Sequence, residues 1–225
     1  MKTTTKKDSS SSAGNSSKSS GSGQELSGST NGGNGKQQDP SKKPQPSYLQ
    51  RFFTDQLKDI YYAEKALLKG IELMKSSSTT EELEDAFEKH RKQTERHITR
   101  LEKVFRLIGK EPEAKKCEAM DGLLKEANTI IGETTEGSLT RDAALIIAAQ
   151  KIEHYEIASY GGLVQLAITM NLDRAASILE KTLNEEEETD LLLTDIAESY
   201  VNVNAEQEGG YSWEKEVMPA IGSSF

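Results

Sequence analysis

The chain has 225 residues, a formal net charge of −9 and hydrophobic residues at 34% of its positions. Because the first 47 residues contain seven lysines against three acidic residues, the rest of the chain is more acidic than the whole. This acidic part of the chain has no cluster of lysines and arginines. Because phosphate binding requires such clusters, we do not expect nucleic acid to be the partner.

Membrane insertion and disulfide cross-linking are not expected either. No run approaches the roughly 18 apolar residues needed to span a bilayer, and Cys117 is the only cysteine. The first residues, MKTTTKKD, lack the apolar core of a secretory signal. We therefore expect a cytoplasmic protein.

Residues 1–47 form a segment rich in Ser, Gly, Asn, Thr and Lys, without an aromatic residue. Such a segment cannot bury enough apolar surface to offset the conformational entropy lost on folding. We expect a disordered tail over 1–47, a folded body over 48–204 and a C-terminal extension over 205–225. In the extension, Trp213 either packs back on the body or frays with its segment.

Apolar residues at spacings of three and four predict the first two long helices, over 48–75 and over 80–108. Thr79 and Glu82 have the spacing of a capping box at the start of the second helix. The predicted inner stripes are Phe53, Leu57, Ile60, Glu64, Leu67 and Ile71 in the first helix, and Leu83, Phe87, His90, Thr94, His97, Leu101 and Val104 in the second.

The second half of the chain repeats this arrangement after a long connection. Residues 111–138 contain an amphipathic stretch that predicts a short crossover helix over 118–132. Two further long helices are predicted, from about residue 140 to 168 and from about 174 to 203. Their inner stripes are Ala143, Ile146, Gln150, Glu153, Ile157, Tyr160, Val164 and Ile168, and then Ile178, Leu179, Leu183, Glu186 or Glu187, Asp190, Leu193 and Ala197.

Four long helices joined by two short turns and one long connection predict a ferritin-like four-helix bundle. An up-down-up-down bundle would not need the long connection between the second and third helices. No segment shows the period of two that a half-buried strand requires. The predicted fold class is therefore all-α, with a short helix in the crossover and a disordered tail before the bundle.

Ionisable residues interrupt each apolar stripe near the middle of its helix. If the helices fold back about turns near residues 77 and 171, Glu64 comes level with His90, and Glu153 with Asp190. Carboxylates buried together repel each other and take up protons unless a cation neutralises them. Di-iron bundles hold their metals with such carboxylates and histidines. The sequence therefore predicts a metal site formed by Glu64, His90, His97, Glu153, Glu187 and Asp190.

One position departs from the di-iron pattern, in which two of the helices carry Glu-x-x-His. Thr94 stands three residues before His97, where a glutamate is expected. Either a bridging carboxylate is missing or His90 replaces it. Glu156 is expected to be exposed or to lie outside the ligand set, and His154 to be a partly buried residue that is not a ligand.

Five stretches of the folded body carry a resemblance to a known family. They are LKDIYYAEKALLK, QTERHITRLEKVF, CEAMDGLLKEAN, RDAALIIAAQKIEHYEIASYGGL and TLNEEEETDLLLTDIA, and the match spans roughly 48–204. They resemble the YciE/YciF-type ferritin-like family. The resemblance implies a ferritin-like fold, a dimer, a role in bacterial stress response and the name ferroxidase, given by analogy. It places the metal-facing positions of the family on Glu64, His97, Glu153, Glu187 and Asp190.

Two functions are compatible with these features. The first is an oxidoreductase that oxidises Fe(II) with O₂ or peroxide, or handles peroxide, at a site holding two iron ions per chain, or manganese. The second is a structural or interaction protein with a degenerate metal site, which Thr94 favours. A homodimer is also expected, because apolar residues off the inner stripes would form an exposed patch. These residues are Phe52, Tyr61, Tyr62, Leu68 and Phe105.

Overall fold

The computed structural model of the chain describes residues 45–209, so the predicted tail up to residue 44 and Trp213 lie outside the described residues. Within this range the chain is helical and contains no β-strand, and no helix is long and apolar enough to cross a membrane. The helices are α1 (Tyr48–Ser77), α2 (Glu81–Leu107), α3 (Glu118–Glu133), α4 (Leu139–Thr169) and α5 (Asp173–Ile196), which continues through a π-helical turn (Ala197–Val201) into α6 (Asn202–Ala205). The four predicted long helices and the crossover helix are therefore confirmed.

The helices pack as a ferritin-like four-helix bundle. The sequential pairs α1 with α2 and α4 with α5 pack together, and contacts of α2 with α5 and of α1 with α4 close the bundle. The crossover helix α3 packs on α1 and α4. Gly70 permits this close approach, because a Cβ at that position would overlap the side chain of Leu124. The core of the bundle lies between the four long helices, and the predicted stripes of α1 and α2 are buried in it.

Two helices begin at caps that come from distant parts of the chain. The predicted Thr79–Glu82 capping box is wrong, because no side chain of α2 caps its own first turn. Instead the buried Asp142 of α4 accepts hydrogen bonds from the backbone N–H groups of Thr79 at 2.7 Å and Thr80 at 2.8 Å. In the same way, Glu208 accepts from the N–H groups at the start of α4. These contacts fix the axial positions of the helices that carry the central polar layer.

The buried face of α4 differs from its predicted stripe. Ile168 is 50% exposed, and Ala143 and Ile157 are only partly buried. The reason is that α4 packs against α1, α3 and α5, so that its buried surface is wider than one stripe. The additional buried residues include Leu145, Ile152, Glu156 and Leu163.

The apolar patch predicted to lie off the inner stripes is only partly exposed. Tyr61 and Phe105 are buried and pack edge to face, with ring centroids 5.7 Å apart. Phe52 is 52% exposed and lies near Tyr48, which precedes it by one helical turn and is also exposed. The most exposed apolar side chains of α1 therefore lie at its N-terminal end, while Leu73 near its other end is 40% exposed.

Candidate metal centre

The four long helices bring six ionisable side chains together in the middle of the bundle. All six are at most 3% exposed. They are Glu64 of α1, His90 and His97 of α2, Glu153 and Glu156 of α4, and Glu186 of α5. Isolated charges are not tolerated in an apolar core, so a layer of this composition needs a compensating partner.

The six side chains form two overlapping groups with the geometry of metal sites. One group comprises His90, Glu153, Glu156 and Glu186, and the other comprises Glu64, His97 and Glu186. Within each group, one potential ligand atom of every residue lies within 4.8 Å of those of the others. Glu186 belongs to both groups, with Oε1 2.9 Å from His97 Nδ1 and Oε2 3.9 Å from His90 Nδ1.

The histidines of the layer lie close to its carboxylates. His97 Nδ1 lies 2.9 Å from Glu186 Oε1 and 3.5 Å from Glu64 Oε1. His90 Nε2 lies 3.2 Å from Glu153 Oε1. His97 therefore directs Nδ1 toward the carboxylates of its group, and His90 directs both ring nitrogens toward carboxylates of its own group, with Nδ1 3.9 Å from Glu186 Oε2.

Most of the polar atoms in this layer have no hydrogen-bond partner. Both oxygens of Glu156 and of Glu186, one oxygen each of Glu64 and Glu153, Nδ1 of His97 and both ring nitrogens of His90 are buried without one. Buried polar groups in proteins are nearly always satisfied, and leaving one unsatisfied costs about 1–3 kcal/mol. Carboxylate and imidazole groups that lack partners inside the protein fit metal ions as their missing partners.

The electrostatics of the layer show an excess of negative charge. Burial and the neighbouring carboxylates raise the pKa of Glu153 and of Glu156 well above its ordinary value. Burial also raises the pKa of Glu186 to about 7, although His97 opposes the shift. Burial lowers the pKa of His90 to about 3, and the charge of His97 adds to this effect. In the absence of a cation, protons have to neutralise these carboxylates.

His97 is the exception among the buried groups. Burial alone would lower its pKa, but Glu64 and Glu186 outweigh burial and raise the pKa to about 11. Its other ring nitrogen, Nε2, lies 2.8 Å from an oxygen of Glu185 at the edge of the layer. The hydroxyl of Tyr160 donates a hydrogen bond to Glu64, which leaves the second Glu64 oxygen free for a metal.

Four predicted ligands are brought together, and Glu187 is not among them. Glu64, His90, His97 and Glu153 belong to the two groups, whereas Glu187 is exposed. Of the two alternatives for the inner stripe of α5, Glu186 is the buried one. Because an α-helix turns about 100° per residue, Glu187 lies outside the buried side.

Asp190 lies at the periphery of the layer. Its side chain is 19% exposed, accepts from Gln150 Nε2 at 3.3 Å and lies 3.3 Å from His154 Nε2. The His154 side chain is 70% exposed, so it is less buried than predicted. Asp190 belongs to neither group of potential ligands.

Sequence reasoning assigned Glu156 no place in the ligand set. It is fully buried and belongs to the group around His90. The signal that could have found it is the spacing Glu153-x-x-Glu156, because residues three apart lie on the same side of a helix. Tyr160, four residues further along, extends this buried side.

Two threonines occupy the same layer without joining the ligand groups. Thr94 lies between His90 and His97, and Thr189 follows Glu186 by three residues. Both are buried, and their hydroxyls donate to backbone carbonyls of their own helices, at 3.1 Å and 2.9 Å. On α2 a threonine therefore replaces the glutamate of Glu-x-x-His, and on α5 a threonine replaces the histidine.

Comparisons with known proteins agree with this architecture. A family model described as a domain of unknown function, DUF892, matches residues 48–206. The chain is 43% identical over 164 residues to protein YciF of Escherichia coli strain K12, covering 71% of this chain and 96% of YciF. The crystal structure of the Escherichia coli stress protein YciF matches with a TM-score of 0.66 at 42% identity, covering 70% and 99% of the two chains. YcfI of Rhodopseudomonas palustris, to which a structural role is attributed, matches with a TM-score of 0.64 at 35% identity, covering 66% and 94%.

Proposed function

Because the chain belongs to the DUF892 family and buries two overlapping groups of metal-ligand residues, we propose that it is a ferritin-like di-metal protein. The observation that carries the proposal is the set of buried ligand atoms without hydrogen-bond partners, above all both oxygens of Glu156 and Glu186. Burying these groups without partners destabilises the folded protein, and bound cations would supply the missing partners.

The donor set favours iron or manganese. Carboxylate oxygens and imidazole nitrogens suit these metals, whereas a site for a softer metal would contain thiolates. Cys117 is outside both groups. Glu64 and His97 would hold one ion, and His90, Glu153 and Glu156 the other, with Glu186 available to both. Bound there, two such ions would supply one-electron redox chemistry.

The reaction that follows is oxidation of Fe(II) with O₂ or hydrogen peroxide. Two Fe(II) ions give up two electrons, which reduce O₂ and two protons to hydrogen peroxide, or hydrogen peroxide and two protons to two waters. The protein's part is to bind the ions, keep water out of a buried layer and hold the ligands in place. The relative YciF is described as a stress protein, and protection against iron and peroxide would be such a role.

A second candidate function is structural. Thr94 and Thr189 stand in the metal layer with hydroxyls that already bond to their own helices, so the ligand sphere is poorer than in Glu-x-x-His bundles. The relative YcfI is also associated with a structural role. In this case the bundle would hold protons or a single ion in the layer and have no redox activity.

Metal analysis and an oxidation assay separate the two functions. We expect the chain reconstituted with Fe(II) under nitrogen to hold about two iron ions and to oxidise further Fe(II) when air or peroxide is added. Glu186→Gln should lower both the stoichiometry and the oxidation rate, because both groups lose a ligand. The matched control Glu187→Gln makes the same change of charge on the surface and should behave as wild type. A wild-type chain that retains no iron or manganese would contradict the di-metal proposal.

A further inference from the structure

His97 contacts carboxylates with both nitrogens of its ring. Nδ1 faces Glu186 at 2.9 Å inside the layer, and Nε2 faces Glu185 Oε2 at 2.8 Å on the opposite side. A neutral imidazole has one N–H donor and one lone pair. If Nε2 keeps its proton to donate to Glu185, Nδ1 carries the lone pair and is the nitrogen available to a metal.

Glu185 is itself held in place from the surface. Arg100 donates to both of its oxygens, at 2.6 Å and 3.0 Å, and the two side chains are 22% and 23% exposed. Such a bidentate contact fixes the orientation of the carboxylate as well as its position. Arg100 also donates to Thr182 at 3.3 Å, one turn along α5. A continuous hydrogen-bonded chain therefore runs from the α2–α5 surface to His97.

The other histidine of the centre has no such support. Neither ring nitrogen of His90 has a hydrogen-bond partner, although its ring is as deeply buried. The two histidines thus differ in what fixes their tautomer and ring angle. Only His97 has its outer nitrogen occupied by a carboxylate that is not a member of either ligand group.

We propose that Glu185, anchored by Arg100, is a positioning residue for the metal centre, and that it commits His97 to bind metal through Nδ1. This inference rests on the proposed function. Carboxylates that accept the second N–H of a metal-bound histidine fix its tautomer and raise its basicity, and their loss commonly costs about 10–100-fold in metal affinity. Glu185 would act only through His97, since it lies outside both ligand groups.

The test compares Glu185→Gln with Glu187→Gln, which changes the same charge on an exposed neighbour. Zn(II) serves as a diamagnetic probe, and affinity is measured by competition with a chelator. Two-bond proton–nitrogen NMR of the histidine rings reports which nitrogen binds zinc. We expect the wild type and Glu187→Gln to bind zinc through His97 Nδ1 with a retained Nε2 proton. Glu185→Gln should bind about 10–100-fold more weakly and lose the preference for this tautomer.

A second variant tests whether a loss of affinity could result from misfolding instead. Arg100→Gln retains the carboxylate of Glu185 but removes its anchor, and we expect a smaller loss of affinity in the same direction. Circular dichroism verifies the helical content of each variant. Equal zinc affinity and an unchanged His97 tautomer in Glu185→Gln would overturn the role of Glu185 while leaving the di-metal proposal intact. A wild type that binds no Zn(II), Mn(II) or Fe(II) would overturn both.

Discussion

Glu186 connects the two halves of the buried layer, and the groups around it determine how strongly burial without a metal would destabilise the fold. It shares one group with Glu64 and His97 and the other with His90, Glu153 and Glu156. The four carboxylates outnumber the one histidine that is charged near neutral pH, because the pKa of His90 lies near 3. The metal-free protein must therefore bind protons that the metal-bound protein releases.

Replacing one carboxylate by its neutral isostere tests this balance. We expect Glu153→Gln to leave the metal-free protein as stable as wild type or more stable, because a neutral amide does not have to take up a proton to be buried next to Glu186. The same change should abolish the stabilisation by Fe(II) or Mn(II), which would reach about 2.7 kcal/mol in wild type at a free metal concentration of 100 times the Kd. Thermal melts of both proteins with and without metal measure the two effects. A clearly destabilised apo variant, together with a wild type that does not respond to metal, would favour the structural function.

The pH dependence of the metal-free protein follows from the same groups. Glu186 has a pKa raised from 4.5 to about 7, and its stabilising protonated form is lost as the pH rises through that value. His97, raised from 6.5 to about 11, likewise loses its contribution as the pH rises toward 11. His90 has a lowered pKa and acts in the opposite direction, but only below its unfolded value of 6.5.

We therefore predict that the free energy of unfolding of the metal-free protein falls between about pH 6.5 and about pH 8.5. Urea titrations across this range measure the slope. Glu153→Gln should flatten it, since one of the coupled carboxylates no longer titrates, and saturating Mn(II) should oppose it. A metal-free stability that rises over the same interval would contradict the assignment of raised pKa values to the carboxylates.

At the level of the helices, the ends of α2 and α4 depend on residues that lie more than 60 positions away in the chain. Asp142 accepts three hydrogen bonds at the start of α2, two from backbone N–H groups and one from the Thr80 hydroxyl. An anionic side chain at a helix N-terminus is also favoured by the helix dipole. Since Asp142 belongs to α4, the cap ties the α1–α2 pair to the α4–α5 pair.

Removal of this cap should destabilise the bundle. We predict that Asp142→Ala lowers the free energy of unfolding by about 1–2 kcal/mol, as measured by urea denaturation. Glu82→Ala is the matched control, because Glu82 occupies the capping-box position suggested by the sequence but makes no cap contact with α2. Its effect should stay within about 0.5 kcal/mol. A larger loss for Glu82→Ala than for Asp142→Ala would reverse the assignment of the cap.

Across the whole molecule, local patterns predicted the helices and their connections, while details set by packing between helices were not predictable. The stripes of α1 and α2 could be read directly, because apolar and polar residues alternate there with the helical period. On α5 the four consecutive glutamates from 185 to 188 fit several orientations of the helix, so the pattern does not show that Glu186 rather than Glu187 faces the core. On α4 the charged residues Lys151, Glu153, His154 and Glu156 follow one another within six positions, so the pattern alone does not show that Glu156 is buried while Lys151 and His154 are exposed.

Self-association is the prediction that belongs to the whole molecule. With Tyr61 and Phe105 buried, the candidate surface for a homodimer is the start of α1, where Tyr48 and Phe52 are 86% and 52% exposed.

Burial of such side chains against a second copy would remove apolar surface from water, worth about 25 cal/mol per Å². We predict that the chain is a dimer at micromolar concentration and that Phe52→Lys shifts it toward monomer. Leu191→Lys is the control, because it places the same charge on an apolar residue of α5 that is 64% exposed. Light scattering over a concentration series measures the mass of each protein. If the wild type is a strict monomer, or if Leu191→Lys dissociates the dimer and Phe52→Lys does not, the N-terminal end of α1 is not the interface.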